Sequence, residues 1–92
     1  MASWTATCQP LDVETDYAKA VAAFGEALRA VRLEAGLSQE ALADRAGLDR
    51  TYVSGAERGR KNPTLKSIAR LSDALGVSMT DLLARTEAKR TW

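Results

Sequence analysis

Ser38–Gly59 reads SQEALADRAGLDRTYVSGAERG, and this stretch decides the fold. Ser38 is a good N-cap, and Glu40 follows it near the positive end of the helix it opens. That helix, expected over Gln39–Ala46, buries Leu42, Ala43 and Ala46 and is closed by Gly47. Leu48 fills the corner, and Asp49 caps a second helix expected from Arg50 to about Arg58. Val53 and Ala56 are its inward positions, and Gly59 stops it. Small residues (Ala43, Ala46, Gly47) stand where two helices must approach closely. Leu42, Leu48 and Val53 mark the core that the helices share.

Two short helices crossing through a glycine turn make a helix-turn-helix, and such a unit presents the front of its second helix to the DNA major groove. Here that front carries Arg50, Thr51, Tyr52, Ser54 and Gly55. An arginine can give two N–H groups to guanine, and a threonine offers a hydroxyl to a base or its methyl to thymine. Gly55 either lets the backbone approach DNA closely or serves packing. Tyr52 either reaches a phosphate or base, or packs on the protein surface.

The same capping logic extends outward. Upstream, Val21, Phe24, Leu28, Val31 and Ala35 are spaced three and four apart, one apolar stripe of a helix expected over about 16–35. Thr15 or Asp16 is available to cap it, and Gly36 ends it. Downstream, residues 59–63 (GRKNP) form a basic turn. Thr64 opens a fourth helix, 65–75, with Leu65, Ile68, Leu71 and Leu75 inward, closed by Gly76. Ser78 and Asp81 form a capping box for a fifth helix over about 79–86. The reading is all-α, with five helices, no strand and no internal repeat. An N-terminal arm (1–15), one DNA-binding domain (16–86) and a short tail (87–92) divide the chain.

Composition narrows the chemistry. The 92 residues contain no histidine and one cysteine, Cys8. No internal disulfide can form, and Cys/His metal sites and histidine-based catalysis are excluded. No catalytic motif stands out among the remaining groups, so the expectation is a non-enzyme without metal or cofactor. The nearest apolar run, Ala18–Phe24, is short and interrupted by Lys19, against about 20 residues for a membrane span. With no signal-peptide pattern, a cytoplasmic location is expected.

The net charge is only +1, but it is unevenly spread. Arg50, Arg58, Arg60, Lys61, Lys66 and Arg70 face Glu57 alone within residues 50–70. One short segment therefore carries the positive field, as a phosphate-facing surface would.

Residues 24–84 resemble the lambda-repressor-like, Xre/Cro helix-turn-helix family. The strings LRAVRLEAGLSQEALADRAGL, RTYVSGAERGRKNPTL and LSDALGVSMTDLL carry the resemblance. DRTYVSGAERG is also similar to the small controller proteins of restriction-modification operons. The resemblance implies that Gln39 bonds a phosphate and steadies the reading helix. It makes Arg50, Thr51 and Tyr52 the reading front, with Ser54 and Gly55 on the next turn. Arg58, Arg60, Lys61 and Asn62 become the backbone-gripping loop, and Arg32 and Glu57 a structural ion pair. Phage repressors often carry Gln at the position of Arg50 and a larger reader at that of Gly55, so operator preference does not transfer.

The partners expected are double-stranded DNA and a second copy of the chain. One reading helix covers only a few base pairs, so two copies on a near-palindromic site are needed for selectivity. Val77, Met79, Leu82 and Leu83 exceed what a short terminal helix needs to dock on its own core, and they are the expected dimer interface, with Trp92 adjoining. A second reading, motivated by the acidic arm and the apolar Trp4 and Trp92, is an antitoxin-type protein that also grips a partner protein through its arm. A scaffold that ignores DNA would leave the basic segment without a purpose.

Overall fold

Four left-handed glycines punctuate the chain, and the helices of the computed structural model lie between and beyond them. The structure describes residues 10–90, with side chains from residue 17 onward. Its helices are α1 (Pro10–Glu34), α2 (Gln39–Ala46), α3 (Arg50–Glu57), α4 (Leu65–Leu75) and α5 (Met79–Lys89). There is no strand among the described residues.

The capping chemistry is the one the side chains announce. Oγ of Ser38 accepts from the Ala41 N–H at 3.0 Å, and Oδ1 of Asp49 from the Thr51 N–H at 3.1 Å. Thr64 Oγ1 accepts from the Ser67 N–H, and Ser78 Oγ from the Asp81 N–H. Each bond satisfies an amide that the helix itself leaves unpaired. At the other end of α2, Gly47 adopts φ 68°, and the Leu48 N–H reaches back to the Ala43 carbonyl at 2.9 Å. This cap turns Leu48 inward onto the core, which is why an apolar residue follows the glycine.

The core is built from one face of each helix. Leu28, Leu42, Val53, Leu71 and Leu82 are completely buried, and Phe24, Val31, Ala43, Ala46 and Ala56 close around them. Helices α2 and α3 pack on each other, α1 backs α3, α4 backs α2, and α5 lies along α1.

Several expectations need correction. Helix α1 begins at Pro10, six residues before the expected start, so the proposed arm is helical from there and neither Thr15 nor Asp16 is its cap. Proline suits a first helical turn, because its missing N–H would be unpaired there anyway. Ala35 lies beyond α1 and is exposed, and Leu65 at the start of α4 is 70% exposed rather than inward. Helix α5 runs on to Lys89 and buries Thr86, so part of the tail belongs to it. Leu82 is fully buried against α1 and cannot join a dimer interface, whereas its neighbour Leu83 is exposed. Successive helical residues point about 100° apart, so only one of the two leucines can face α1. The readings of Trp4 and Trp92 fall outside what the structure describes.

A residue that periodicity does not single out sets the α1–α3 spacing. A Cβ on Gly25 would stand 2.4 Å from the carbonyl oxygen of Ala56 and 2.7 Å from that of Glu57. Backbone atoms cannot rotate aside as a side chain would. Gly25→Ala should therefore lower stability by about 1–3 kcal/mol through overpacking, although alanine gains about 1 kcal/mol in intrinsic helix propensity. Urea unfolding checks this, and a variant as stable as the parent would show that α1 can move away from α3 freely.

Candidate nucleic-acid interface

The front of α3 opens with a cation in an adverse place. Arg50 is its first residue, its first turn contains no acid, and the positive end of a helix disfavours a nearby positive charge. Arg50 and Thr51 are both exposed. Such a side chain is badly placed for helix stability and well placed to meet an anion or a guanine edge.

What holds α3 in position is a buried ion pair at its other end. Arg32 Nε donates to Glu57 Oε2 at 2.6 Å and its Nη2 to Oε1 at 2.9 Å, a bidentate fork. Arg32 Nη1 also donates to the Leu37 carbonyl at 2.9 Å. The two side chains are only 9% and 2% exposed. The hydrogen bonds to Glu57 raise the arginine above its ordinary pKa, against the opposing effect of burial. Gln39 joins the group, its Nε2 donating to Glu57 Oε1 at 3.0 Å. The ends of α1 and α3 and the start of α2 thus converge on one carboxylate.

The remaining expected site residues divide into two groups. Arg58, Arg60, Lys61 and Asn62 are exposed in and beside the turn after α3, and Ser54 is half-buried. Gln39 has one amide N–H committed to Glu57, and a primary amide has a second. Tyr52 is turned against the core, and its buried hydroxyl has no hydrogen-bond partner among the described residues. In this conformation the ring packs against the core and the hydroxyl faces away from solvent. Gly55 is buried beneath the stem of Lys61 and does not offer open backbone to a duplex.

Two residues of the basic segment escaped assignment from sequence. Lys66 is exposed on α4, and Arg70 donates from Nη1 to the Gly47 carbonyl at 3.4 Å, at the end of α2. The charge count includes both, but no motif distinguishes them. Outside this segment, Arg85 on α5 bonds Glu34 at 2.9 Å, an exposed bridge to the end of α1.

Residues 28–82 match the helix-turn-helix family as a whole, a span from the second half of α1 to the start of α5. The chain belongs to the Xre/Cro-like helix-turn-helix family. It is 48% identical over 61 residues to the control protein C.BamHI of Bacillus amyloliquefaciens, covering 65% of this chain and 75% of that one. The crystal structure of the restriction-modification controller protein C.AhdI from Aeromonas hydrophila superposes with a TM-score of 0.66 at 47% identity, over 67% of this chain and 94% of that one. The clp gene regulator ClgR from C. glutamicum gives a TM-score of 0.75 at 32% identity, over 78% and 92% of the two chains. The five-helix architecture is thus shared with solved regulators. No helix among the described residues is long and apolar enough to cross a membrane.

Within this helix-turn-helix protein, Glu57→Gln retains the shape of the acid but strands the Arg32 charge. A broken buried pair costs about 3–5 kcal/mol, which for a domain of this size lowers Tm by more than about 12 °C. Thermal unfolding followed by circular dichroism measures it, and an unchanged Tm would mean that the pair holds nothing in place.

Proposed function

We propose that the protein is a sequence-specific regulator that binds double-stranded DNA as a homodimer on a near-palindromic operator, in the cytoplasm. The observation that carries this is the exposed Arg50–Thr51 front of α3, anchored from behind by the Arg32–Glu57 fork and followed at once by the basic turn. A rigid reading helix beside a phosphate-seeking loop is the combination that sequence-specific major-groove recognition needs.

In this reading Arg50 is the main base reader and Thr51 its neighbour, with Ser54 on the following turn. Arg58, Arg60, Lys61 and Asn62 contact phosphates, and Gln39 bonds a phosphate with its second amide N–H while Glu57 holds the first. Because C.BamHI and C.AhdI are named as control and controller proteins, the DNA just upstream of the protein's own reading frame is the place to look for the operator by footprinting.

The dimer forms through α5 and the turn before it, using Leu83, Met79 and the outer edge of Val77. Leu83 is 41% exposed, and Met79 and Val77 are half-buried. Two copies on a twofold axis place the reading helices about 34 Å apart, one turn of duplex.

Base reading and phosphate contact are separable by measurement. Arg50→Ala should lose about 1–3 kcal/mol on the operator, with relaxed preference at one position per half-site. Lys61→Ala should weaken operator and random duplexes alike and flatten the salt dependence. If Arg50→Ala lost equally on both duplexes, the assignment of roles would be wrong.

The interface has its own test. Met79→Asp should weaken self-association in sedimentation and operator binding together, while circular dichroism reports a folded monomer. A parent protein that stays monomeric at micromolar concentration and still protects two half-sites independently would refute the dimer.

A further inference from the structure

Gly55 sits in the middle of α3, where glycine weakens a helix relative to alanine. Nothing in its backbone explains the choice, since its φ is not among the positive ones. What explains it is the space above it. A Cβ at Gly55 would stand 2.9 Å from Cγ of Lys61, 3.2 Å from its Cε and 3.6 Å from its Cδ. Three carbons of the lysine stem, Cγ, Cδ and Cε, therefore lie across the bare Cα of the glycine. The Gly55 carbonyl also accepts the Arg60 N–H at 2.9 Å, fastening the backbone just before Lys61 to the same residue.

We infer that Gly55 is the seat of the Lys61 side chain, a positioning residue that fixes where the ammonium is presented relative to the Arg50 front. A lysine stem normally samples many rotamers, and ordering it on contact with a partner costs entropy. A stem already laid along α3 forgoes part of that cost and delivers its charge at a set distance from the base-reading side chains. Gly55 thereby acts on binding through Lys61 without touching DNA itself, in place of the base-reading role expected from sequence. The ligand class is a phosphodiester, and the inference rests on the reading of the basic turn as the phosphate-contacting loop.

The test is a double-mutant cycle on Gly55→Ala and Lys61→Ala, with operator and random duplexes titrated over a range of salt. Removing one lysine contact lowers the slope of log affinity against log salt by about one unit. Gly55→Ala, by pushing the stem off its seat, should lower the slope as Lys61→Ala does and leave the base preference at the Arg50 position intact. In the Lys61→Ala background, where the obstructing stem is gone, Gly55→Ala should change affinity by less than about twofold. That double variant also carries no clash, so it separates loss of fold from loss of seating.

If Gly55→Ala kept the full salt slope but relaxed base preference, Gly55 would be a site of close backbone approach to DNA and the inference would fail. Additive losses from the two substitutions would overturn it equally. If Lys61→Ala alone left affinity and slope unchanged, the phosphate role of the loop would fall instead, a result distinct from either.

Discussion

The bidentate contact between Arg32 and Glu57 is the constraint on which the interface depends. Glu57 is the last residue of α3, and Arg32 lies in the last turn of α1. Their fork fixes the position of the reading helix along its own axis, and the third bond, from Arg32 to the Leu37 carbonyl, fixes the turn leading to α2. A buried ion pair adds little net stability over a well-packed apolar substitute, because desolvation offsets most of the attraction. Its contribution here is directional. An apolar contact tolerates sliding by a fraction of a side chain, whereas two N–H groups facing two carboxylate oxygens do not. The same bonds raise the arginine's pKa and so favour its charged form.

Close approach makes this fork possible. With Gly25 under the carbonyls of Ala56 and Glu57, α1 lies near enough to α3 for Arg32 to meet Glu57 with the two N–H groups of one guanidinium edge. From the other side, Gly59 in the turn after α3 meets α1 one turn before Gly25, where an added Cβ would stand 3.2 Å from Cα of Ala22. Small residues on one side of α1 thus bring the helices together, and the charged pair then sets their register. The apolar stripe of Phe24, Leu28 and Val31 supplies the cohesion that neither could provide alone.

Around the fixed helix the positive charges are distributed over several elements: Arg50 at the front of α3, Arg58 to Lys61 behind it, Lys66 and Arg70 on α4. Lys61 is tied to α3 by packing and Arg60 by a backbone hydrogen bond. A field spread in this way attracts a polyanion from a distance, and in the proposed function the anchored residues decide its register at contact. Leu83 on α5 remains exposed, leaving apolar surface outside the basic segment.

The sequence alone determined what depends on near neighbours in the chain. The N-caps at Ser38, Asp49, Thr64 and Ser78 involve a side chain and an amide two or three residues on, so the bounds of α2 and α4 are legible without any tertiary contact. The start of α1 at Pro10 lies well upstream of the apolar stripe, whose first member is Val21, so periodicity does not mark it. The Arg32–Glu57 pair was accessible only through family resemblance, since 25 residues separate the partners and no local rule pairs them. Tertiary structure decided the rest. It turned Tyr52 inward, buried Leu82 and exposed Leu83, and left Leu65 in solvent, because which side of an apolar helix faces inward depends on what packs there. It also gave Gly25 and Gly55 their meaning, since the consequence of a missing Cβ is set by the atoms that fill its place, here backbone from α3 and the stem of Lys61.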